Sequence, residues 1–479
     1  MRIMRALVTT AAALAVGVSS AAGTGPAAAV PARADLRPGT GSGLGGVPAL
    51  AADPGTTPTA SGSSSLPATP VGEQLGWLIA ASRRLPLSTA ELQAHFDQTL
   101  IGAAGGTDAL NAALSTLADA NGLTLVSVLS ATPTSLTAIV DGARRWQLSV
   151  AVDTDGLLAS LTLIPYQPSP SSWAELDRRL HAVAPDVSFQ ASRLTADGRC
   201  LPVHGVAADT PRPLGSAFKL YVLAALADAV ASGRAAWDEQ LAIRDDGKSL
   251  PSGVLQNAPA GTTLTLEQYA QYMISISDNT AADHLIHRLG RDQVQRELVR
   301  AGMRRPALDV PFLTTRELFQ FKAAPDYPGP LQTYLRLPIA QRLRYLTDVI
   351  DPRPLTGLAG WQQPRAVDTL EWFASPTDIC HVYATLARAA GTSAGAPVAG
   401  ILSLNTGGLG LDPARWPSTW FKGGSEPGVL TLTYLARTTD GARYVVSVAA
   451  SDSQHAPDEA TAVPELLALA RGGFQLAAR

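Results

Sequence analysis

The sequence is poor in lysine and cysteine, and beyond its first residues it has no long uninterrupted apolar segment. Charged residues are 16% of the 479 residues and the net charge is −3, so no basic footprint indicates binding to nucleic acid. The lack of a run of about 20 apolar residues argues against a transmembrane anchor in the mature chain. The hydrophobic content of 46% suits a globular protein with a large core and room for two domains.

Histidine forms no zinc pattern of the H-x-H or H-E-x-x-H type. His284 and His287 are three residues apart, a spacing that we interpret as structural. We therefore predict no metal site and no cofactor. The only cysteines are Cys200 and Cys380, and the sequence leaves open whether they form a disulfide or remain two buried thiols.

The N-terminus has the features of an export signal. Arg2 and Arg5 precede the apolar stretch ALVTTAAALAVGV, and small residues with A-x-A patterns follow at 27–29 and 32–34. The apolar stretch is too short for a membrane anchor. We predict a signal peptide over residues 1–34 and a secreted, extracytoplasmic protein.

Composition then divides the mature chain. Residues 35–72 are rich in Ala, Gly, Pro and Ser and predict a disordered tether. Residues 73–166 show helical patterns followed by strand-like runs with Asp-Gly turns, which predicts a small α+β domain. After a Pro/Ser linker, residues 174–479 predict one larger domain. Its first and last parts are strand-like and its middle is helical, so both ends should contribute to one sheet.

Three short motifs carry the candidate chemistry. Ser216 and Lys219 stand three apart at the start of an apolar helix, where burial would lower the pKa of the lysine and make it a base for the serine. The triplet SDN occupies residues 277–279, where a helix cap is the plain alternative. The triplet KGG occupies residues 422–424 at the start of a strand, where a bulge or turn is the alternative.

Together and in this order, the motifs resemble the S-x-x-K, S-D-N and K-T-G signature of class A β-lactamases and penicillin-binding serine hydrolases. The resemblance implies an α+β fold, with an antiparallel sheet flanked by helices and a helical subdomain. The whole layout, with phrases such as LTTRELF, EWFASPTD and FKGGSEPGV, resembles a two-domain group. That group includes the Cpe protein of clavulanic acid clusters and mycobacterial lipoproteins, in which an NTF2-like domain comes first.

The resemblance also implies roles for the matching residues. Ser216 would be the acylated nucleophile and Lys219 its general base. Ser277 would pass a proton to the leaving group, Asn279 would bind the substrate amide, and Lys422 would hold a substrate carboxylate. The backbone N–H groups of Ser216 and of the residue after the KGG triplet would form the oxyanion hole.

The match departs from the family pattern in its third motif and in the long segment before it. Gly423 and Gly424 leave no threonine hydroxyl, and we expect Ser425 to substitute for it in substrate binding. No clear E-x-x-x-N supplies a base for deacylation. Glu371 and Glu317 are the candidates, although Glu317 also fits the start of a helix.

We therefore predict an exported serine hydrolase that acts through a Ser216 acyl-enzyme. The expected activity is that of a weak esterase or poor β-lactamase on a small molecule with a carboxylate, such as a β-lactam, ester or peptide. One alternative is a catalytically idle binding protein for a cell-wall or β-lactam-like ligand. Another is a small domain that holds a hydrophobic ligand in an NTF2-like cone.

Overall fold

The computed structural model describes residues 65–479. The predicted signal peptide and most of the predicted tether lie outside this range. The tether prediction extended to residue 72, and its end is wrong, because the first helix already begins at Pro70. Thr69 caps this helix by accepting a hydrogen bond from Gly72 N, and proline favours the first turn.

The smaller unit has four helices followed by an antiparallel four-stranded meander in the order β1-β2-β3-β4, as predicted. Its elements are α1 Pro70–Ala81, α2 Thr89–His95, α3 Gln98–Ala104, α4 Thr107–Leu117, β1 Thr124–Ala131, β2 Ser135–Asp141, β3 Arg145–Val152 and β4 Leu158–Pro165. Ser88 and Glu91 form a capping box at α2. Helix α4 ends at Leu117, before the Asn121-Gly122 pair.

The larger unit is built on a five-stranded antiparallel sheet in the order β11-β12-β13-β5-β6. Its strands are β5 Asp186–Leu194, β6 Cys200–Val206, β11 Ser418–Glu426, β12 Val429–Arg437 and β13 Arg443–Ser451, with the short pairs β7 Arg212–Pro213/β10 Phe373–Ala374 and β8 Gln240–Ala242/β9 Thr263–Thr265. The prediction that both ends of this region share one sheet is confirmed, since β13 pairs with β5.

Helices cover both faces of this sheet and extend into a helical region. They are α5 Trp173–His181, α6 Lys219–Ala231, α7 Leu266–Ser275, α8 Asn279–Leu289, α9 Arg291–Arg300, α10 Thr315–Lys322, α11 Gly329–Arg336, α12 Ile339–Tyr345, α13 Pro376–Ala390, α14 Pro397–Ser403 and α15 Glu459–Ala477. A π-helical turn, Leu346–Ile350, follows α12. One core lies between the sheet and α5 and α15, and the other fills the helical region around α6.

Two connections hold distant parts of the fold together. Cys200 on β6 and Cys380 on α13 form a disulfide, which decides the alternative that the sequence left open. Gln147 of the smaller unit donates to the backbone oxygen of Gly408, 2.6 Å away, in the loop that leads to β11. The loop also receives a hydrogen bond from Arg471 of α15 to Leu409 O. The smaller unit therefore contacts the segment that precedes the KGG strand.

Candidate active site

Ser216 lies in a short 3₁₀ turn, Gly215–Phe218, immediately before α6. Gly215 has φ +49°, and a methyl group there would lie 2.8 Å from Ser425 N. Glycine therefore allows the backbone of this turn to lie directly against strand β11. The turn presents Ser216 at the place where the sheet meets the helical region.

Lys219 is the first residue of α6 and is fully buried. Its Nζ lies 3.1 Å from Ser216 Oγ and 3.1 Å from Ser277 Oγ. Closer contacts go to the backbone oxygen of Ser277, at 2.5 Å, and to Asn279 Oδ1, at 2.6 Å. These last two atoms only accept hydrogen bonds, so they occupy both N–H donors of a neutral amine and leave its lone pair for a hydroxyl.

Burial lowers the pKa of Lys219 to about 7, against the opposing effect of the carboxylates of Asp278 and Asp283. Burial, together with the charge of Lys219, also holds the pKa of Lys422 well below its usual value. Both effects follow from placing two amines in one desolvated space, where two positive charges are costly. The site therefore favours the neutral form of both amines, and a neutral amine can accept a proton.

Ser277 connects the two lysines. Lys422 Nζ lies 3.0 Å from Ser277 Oγ and donates to the backbone oxygen of Gly423 at 2.6 Å. Ser277 has φ +59°, an unusual conformation for a residue with a side chain. The conformation directs both its hydroxyl and its carbonyl oxygen towards the lysines, so the strain has a structural purpose at this site.

The hydrogen bonds of Asp278 fix the position of the turn that carries Ser277. One carboxylate oxygen caps α8 by accepting from Ala281 N, at 2.8 Å. The other accepts from Val254 N and Leu255 N, at 2.6 and 2.9 Å, and so holds the facing loop. The cap alternative is thus correct for Asp278, while its two neighbours, Ser277 and Asn279, face Lys219.

The glycines of the KGG triplet lie where there is no space for a side chain. A methyl group at Gly424 would lie 2.1 Å from Leu214 O and 2.4 Å from Ser216 N, so only glycine fits there. At Gly423 the space for a side chain is taken by the ring of Phe421, at 2.8 Å. The backbone of β11 therefore reaches the Ser216 turn, where the predicted oxyanion donors lie on adjoining segments.

The two candidate bases for deacylation occupy different places. Glu317 is fully buried, forms an ion pair with Arg291 at 2.6 Å and closes a capping box with Thr314. It has the role of a helix-start residue, the alternative that we had noted for it. Glu371 lines the same cavity as Ser216, and its Oε2 accepts from Gly215 N at 3.2 Å and from its neighbour Trp372 N at 3.1 Å.

A cavity of about 400 Å³ opens beside Ser216. Its walls are mostly apolar, with side chains from α10, from the loop before α7 and from the long segment before β10. In residues 65–479 no group of three or more histidine, cysteine or acidic side chains is arranged to hold a metal ion. Within the same residues, no helix is long and apolar enough to span a membrane.

Comparison with known families gives two matches. Residues 176–333 match the model of the "Beta-lactamase enzyme family". The larger unit is a β-lactamase-family domain. Residues 66–158 match a second model, described as "ORF 12 gene product N-terminal". A comparison with curated proteins found no match.

The β-lactamase-family domain also has solved structural relatives at low identity. A β-lactamase from Sphaerobacter thermophilus is 20% identical with a TM-score of 0.43, over 64% of this chain and 97% of that one. The structure titled PBP-A is 17% identical with a TM-score of 0.42, over 65% and 99%. A structure of L2 complexed with relebactam is 18% identical with a TM-score of 0.44, over 64% and 95%.

Sequence reasoning missed two charged residues at the cavity of the β-lactamase-family domain. Lys322 is fully buried and pairs with both Glu426 and Glu371. A signal for Lys322 was present, because it is one of only four lysines in the chain. Glu426 gave no comparable signal, although it lies directly after the predicted substrate-binding residue Ser425.

Proposed function

We propose that this protein is a serine hydrolase that forms an acyl-enzyme at Ser216 with a small ester or amide. The carrying observation is the convergence of the Ser216 and Ser277 hydroxyls on the Lys219 amine, at 3.1 Å each, with Lys422 on the far side of Ser277 at 3.0 Å. The residues come from three distant parts of the chain. Their arrangement supports proton transfer between nucleophile, base and leaving group.

In the acylation step, the neutral Lys219 amine takes the proton of Ser216 as its oxygen bonds to the substrate carbonyl carbon. The carbonyl oxygen becomes negative and is stabilised by the N–H groups of Ser216 and Ser425, roughly 3 kcal/mol for each aligned donor. When the bond to the leaving group breaks, Ser277 donates its proton to that group and is reprotonated by Lys219. The products are a Ser216 ester and a free amine or alcohol.

Hydrolysis then requires a water that attacks the ester and releases the acid. Of the two candidate bases, Glu371 lines the cavity with Ser216 and Glu317 does not, which favours Glu371. Its oxygens are already engaged by Gly215 N, Trp372 N and Lys322. Because these contacts occupy the oxygens that would have to bind and deprotonate the water, we propose slow deacylation, as in a weak esterase or a poor β-lactamase.

The test is intact-protein mass spectrometry after exposure to a fluorescent penicillin and to a p-nitrophenyl ester. We expect an adduct of one acyl group on the wild type and none on Ser216→Ala. Ser232→Ala, at the exposed end of α6, is the matched control and should acylate normally. An equal adduct on Ser216→Ala, or none with any acyl donor, would refute the proposal.

A binding protein is the second candidate, because the described glutamates near the site are already paired and Gly423 has no hydroxyl. Saturable binding of a penicillin without a covalent adduct would favour this candidate. An adduct that forms and persists for hours would instead indicate an acyl-enzyme with slow turnover. We also propose export, which the N-terminal sequence and the Cys200–Cys380 disulfide both support.

A further inference from the structure

The cavity beside Ser216 extends away from the two lysines of the site. Its apolar walls include Phe319 on α10 and Leu358 and Trp361, which belong to the long segment between α12 and β10. A volume of about 400 Å³ lies within the range of small-molecule sites. An acyl group attached to Ser216 is adjacent to this space, and its apolar part would fit these walls.

The end of the cavity is polar and has more acidic than basic side chains. Glu371 and Glu426 both line it, and Lys322 is the only basic partner recorded for them in the described chain. The side chain of Glu426 is 9% exposed. Its Oε1 accepts from Lys322, whereas its Oε2 has no hydrogen-bond partner among the described residues. Two carboxyl groups therefore share one ammonium group.

The pKa shifts of Glu426 and Lys322 are those expected of a site with a place for a second cation. Burial raises the pKa of Glu426 well above its usual value, and Glu371 adds to this effect while Lys322 opposes it. Burial alone would lower the pKa of Lys322, but the two carboxylates outweigh it and raise that pKa. Lys322 is therefore stabilised in its charged form, and Glu426 takes up a proton more readily than an ordinary glutamate unless a second cation pairs with it.

We propose that this cavity binds the acyl part of the substrate and that this part carries a primary ammonium group, which pairs with Glu426. The inference rests on the proposed acyl transfer at Ser216. An acyl group with an aromatic or aliphatic body and a terminal amine matches both the apolar walls and the acidic end. An ammonium group buried in such a cavity needs a carboxylate partner. Glu426 Oε2 is a carboxylate oxygen at this end of the cavity that has no hydrogen-bond partner among the described residues.

Two p-nitrophenyl esters of equal shape test the proposal. One carries a 4-(aminomethyl)phenylacetyl group and the other a 4-ethylphenylacetyl group, and the rigid ring prevents the amine from attacking its own ester. We expect the amino ester to acylate Ser216 about tenfold faster at low concentration, as for a charge-assisted hydrogen bond in a buried site. Equal rates, or a faster neutral ester, would overturn the proposal.

Glu426→Gln keeps the shape of the side chain and should remove the preference for the amino ester over the neutral one. Glu297→Gln is the matched control, since Glu297 is also buried and its Oε2 lacks a hydrogen-bond partner, but it does not line this cavity. It should keep the tenfold preference. A preference that survives Glu426→Gln would overturn the assignment of this residue, and thermal unfolding of both variants checks that they fold.

A binding measurement separates this proposal from the proposed reaction. The two corresponding primary amides serve as unreactive probes, and calorimetry on the wild type should show tighter binding of the amino amide. Its affinity should increase with pH as Glu426 loses its proton, with Lys322 and Glu371 as the charged groups facing it, while the neutral amide shows no such change. If the neutral ester acylates Ser216 and the amino ester shows no advantage, only the proposal for the cavity is refuted. If the amino amide binds more tightly but neither ester acylates Ser216, only the proposed reaction is refuted.

Discussion

The pKa of Lys219 leads to a quantitative prediction for the acylation rate. An ordinary lysine, with a pKa of 10.5, would be neutral at pH 7 in roughly one molecule in 3000, whereas a pKa of about 7 makes half of the molecules neutral. Only the neutral amine accepts the proton of Ser216. The acylation rate should therefore rise about tenfold per pH unit below pH 7 and become constant above it.

The assay is rapid quench followed by intact mass, with enzyme in excess over a neutral activated ester, between pH 5 and pH 9. Lys219→Ala should slow acylation by roughly 10²- to 10⁴-fold, the usual contribution of a general base. Lys248→Ala is the matched control, because Lys248 pairs with the exposed Asp245 and does not line the cavity beside Ser216. An inflection above pH 9, a rate independent of pH, or normal acylation by Lys219→Ala would refute the role of Lys219.

The same pKa has a consequence for stability. Because the folded pKa is below the unfolded value, the unfolded chain binds a proton between about pH 7 and 10.5 that the folded chain lacks, so stability rises with pH across this window. At pH 8 the cost of burying Lys219 is roughly 3 kcal/mol. Lys219→Met removes this cost and loses hydrogen bonds of about 1 kcal/mol each. With about three such bonds lost, the two effects nearly cancel at pH 8, so the informative quantity is the pH dependence. We expect the rise of stability between about pH 7 and 10.5 to be smaller in Lys219→Met than in the wild type in denaturant unfolding, and an equal rise would contradict the buried-amine argument.

Three further changes test other parts of the structure. Replacing Cys200 and Cys380 together by serine should lower the free energy of unfolding by roughly 2–5 kcal/mol, with reduced wild type as the comparison. Glu317→Gln breaks the ion pair with Arg291 and should cost roughly 3 kcal/mol in stability, while the acylation rate per folded molecule stays unchanged. Gly424→Ala would place a methyl group on the nucleophile turn and should reduce acylation more than it reduces secondary structure by circular dichroism.

Much of the fold and of the motif cluster could be predicted because these features have local or regular signals. The hairpin VLTLTYLART–ARYVVSVAAS is marked by strand composition and by its TDG turn, and it forms β12 and β13. The motif residues Ser216, Lys219 and Ser277 were recognisable by type and order. The structure brings the hydroxyl of each serine to 3.1 Å from the Lys219 amine.

The cavity had no such signal, because its walls come from residues without a common pattern. The segment between Ile350 and β10 has little regular structure, and its contacts with α10 depend on the tertiary fold. The pairing of Lys322 with Glu426 joins residues 104 positions apart. A sequence pattern cannot place two such side chains in one cavity, since neither belongs to a motif.

Three of the four lysines of the chain lie in the motif cluster around Ser216 or at the acidic end of the cavity beside it. Arginine supplies most of the basic charge of the chain, yet Lys219, Lys322 and Lys422 are all buried at or beside the Ser216 cleft. Arginine remains charged at every physiological pH and cannot act as a base, whereas a buried lysine can lose its proton. For Lys219 this difference decides function, so Lys219→Arg should be as inactive as Lys219→Ala although it keeps the positive charge. Activity in Lys219→Arg would mean that the site needs a cation near Ser216 rather than a neutral amine.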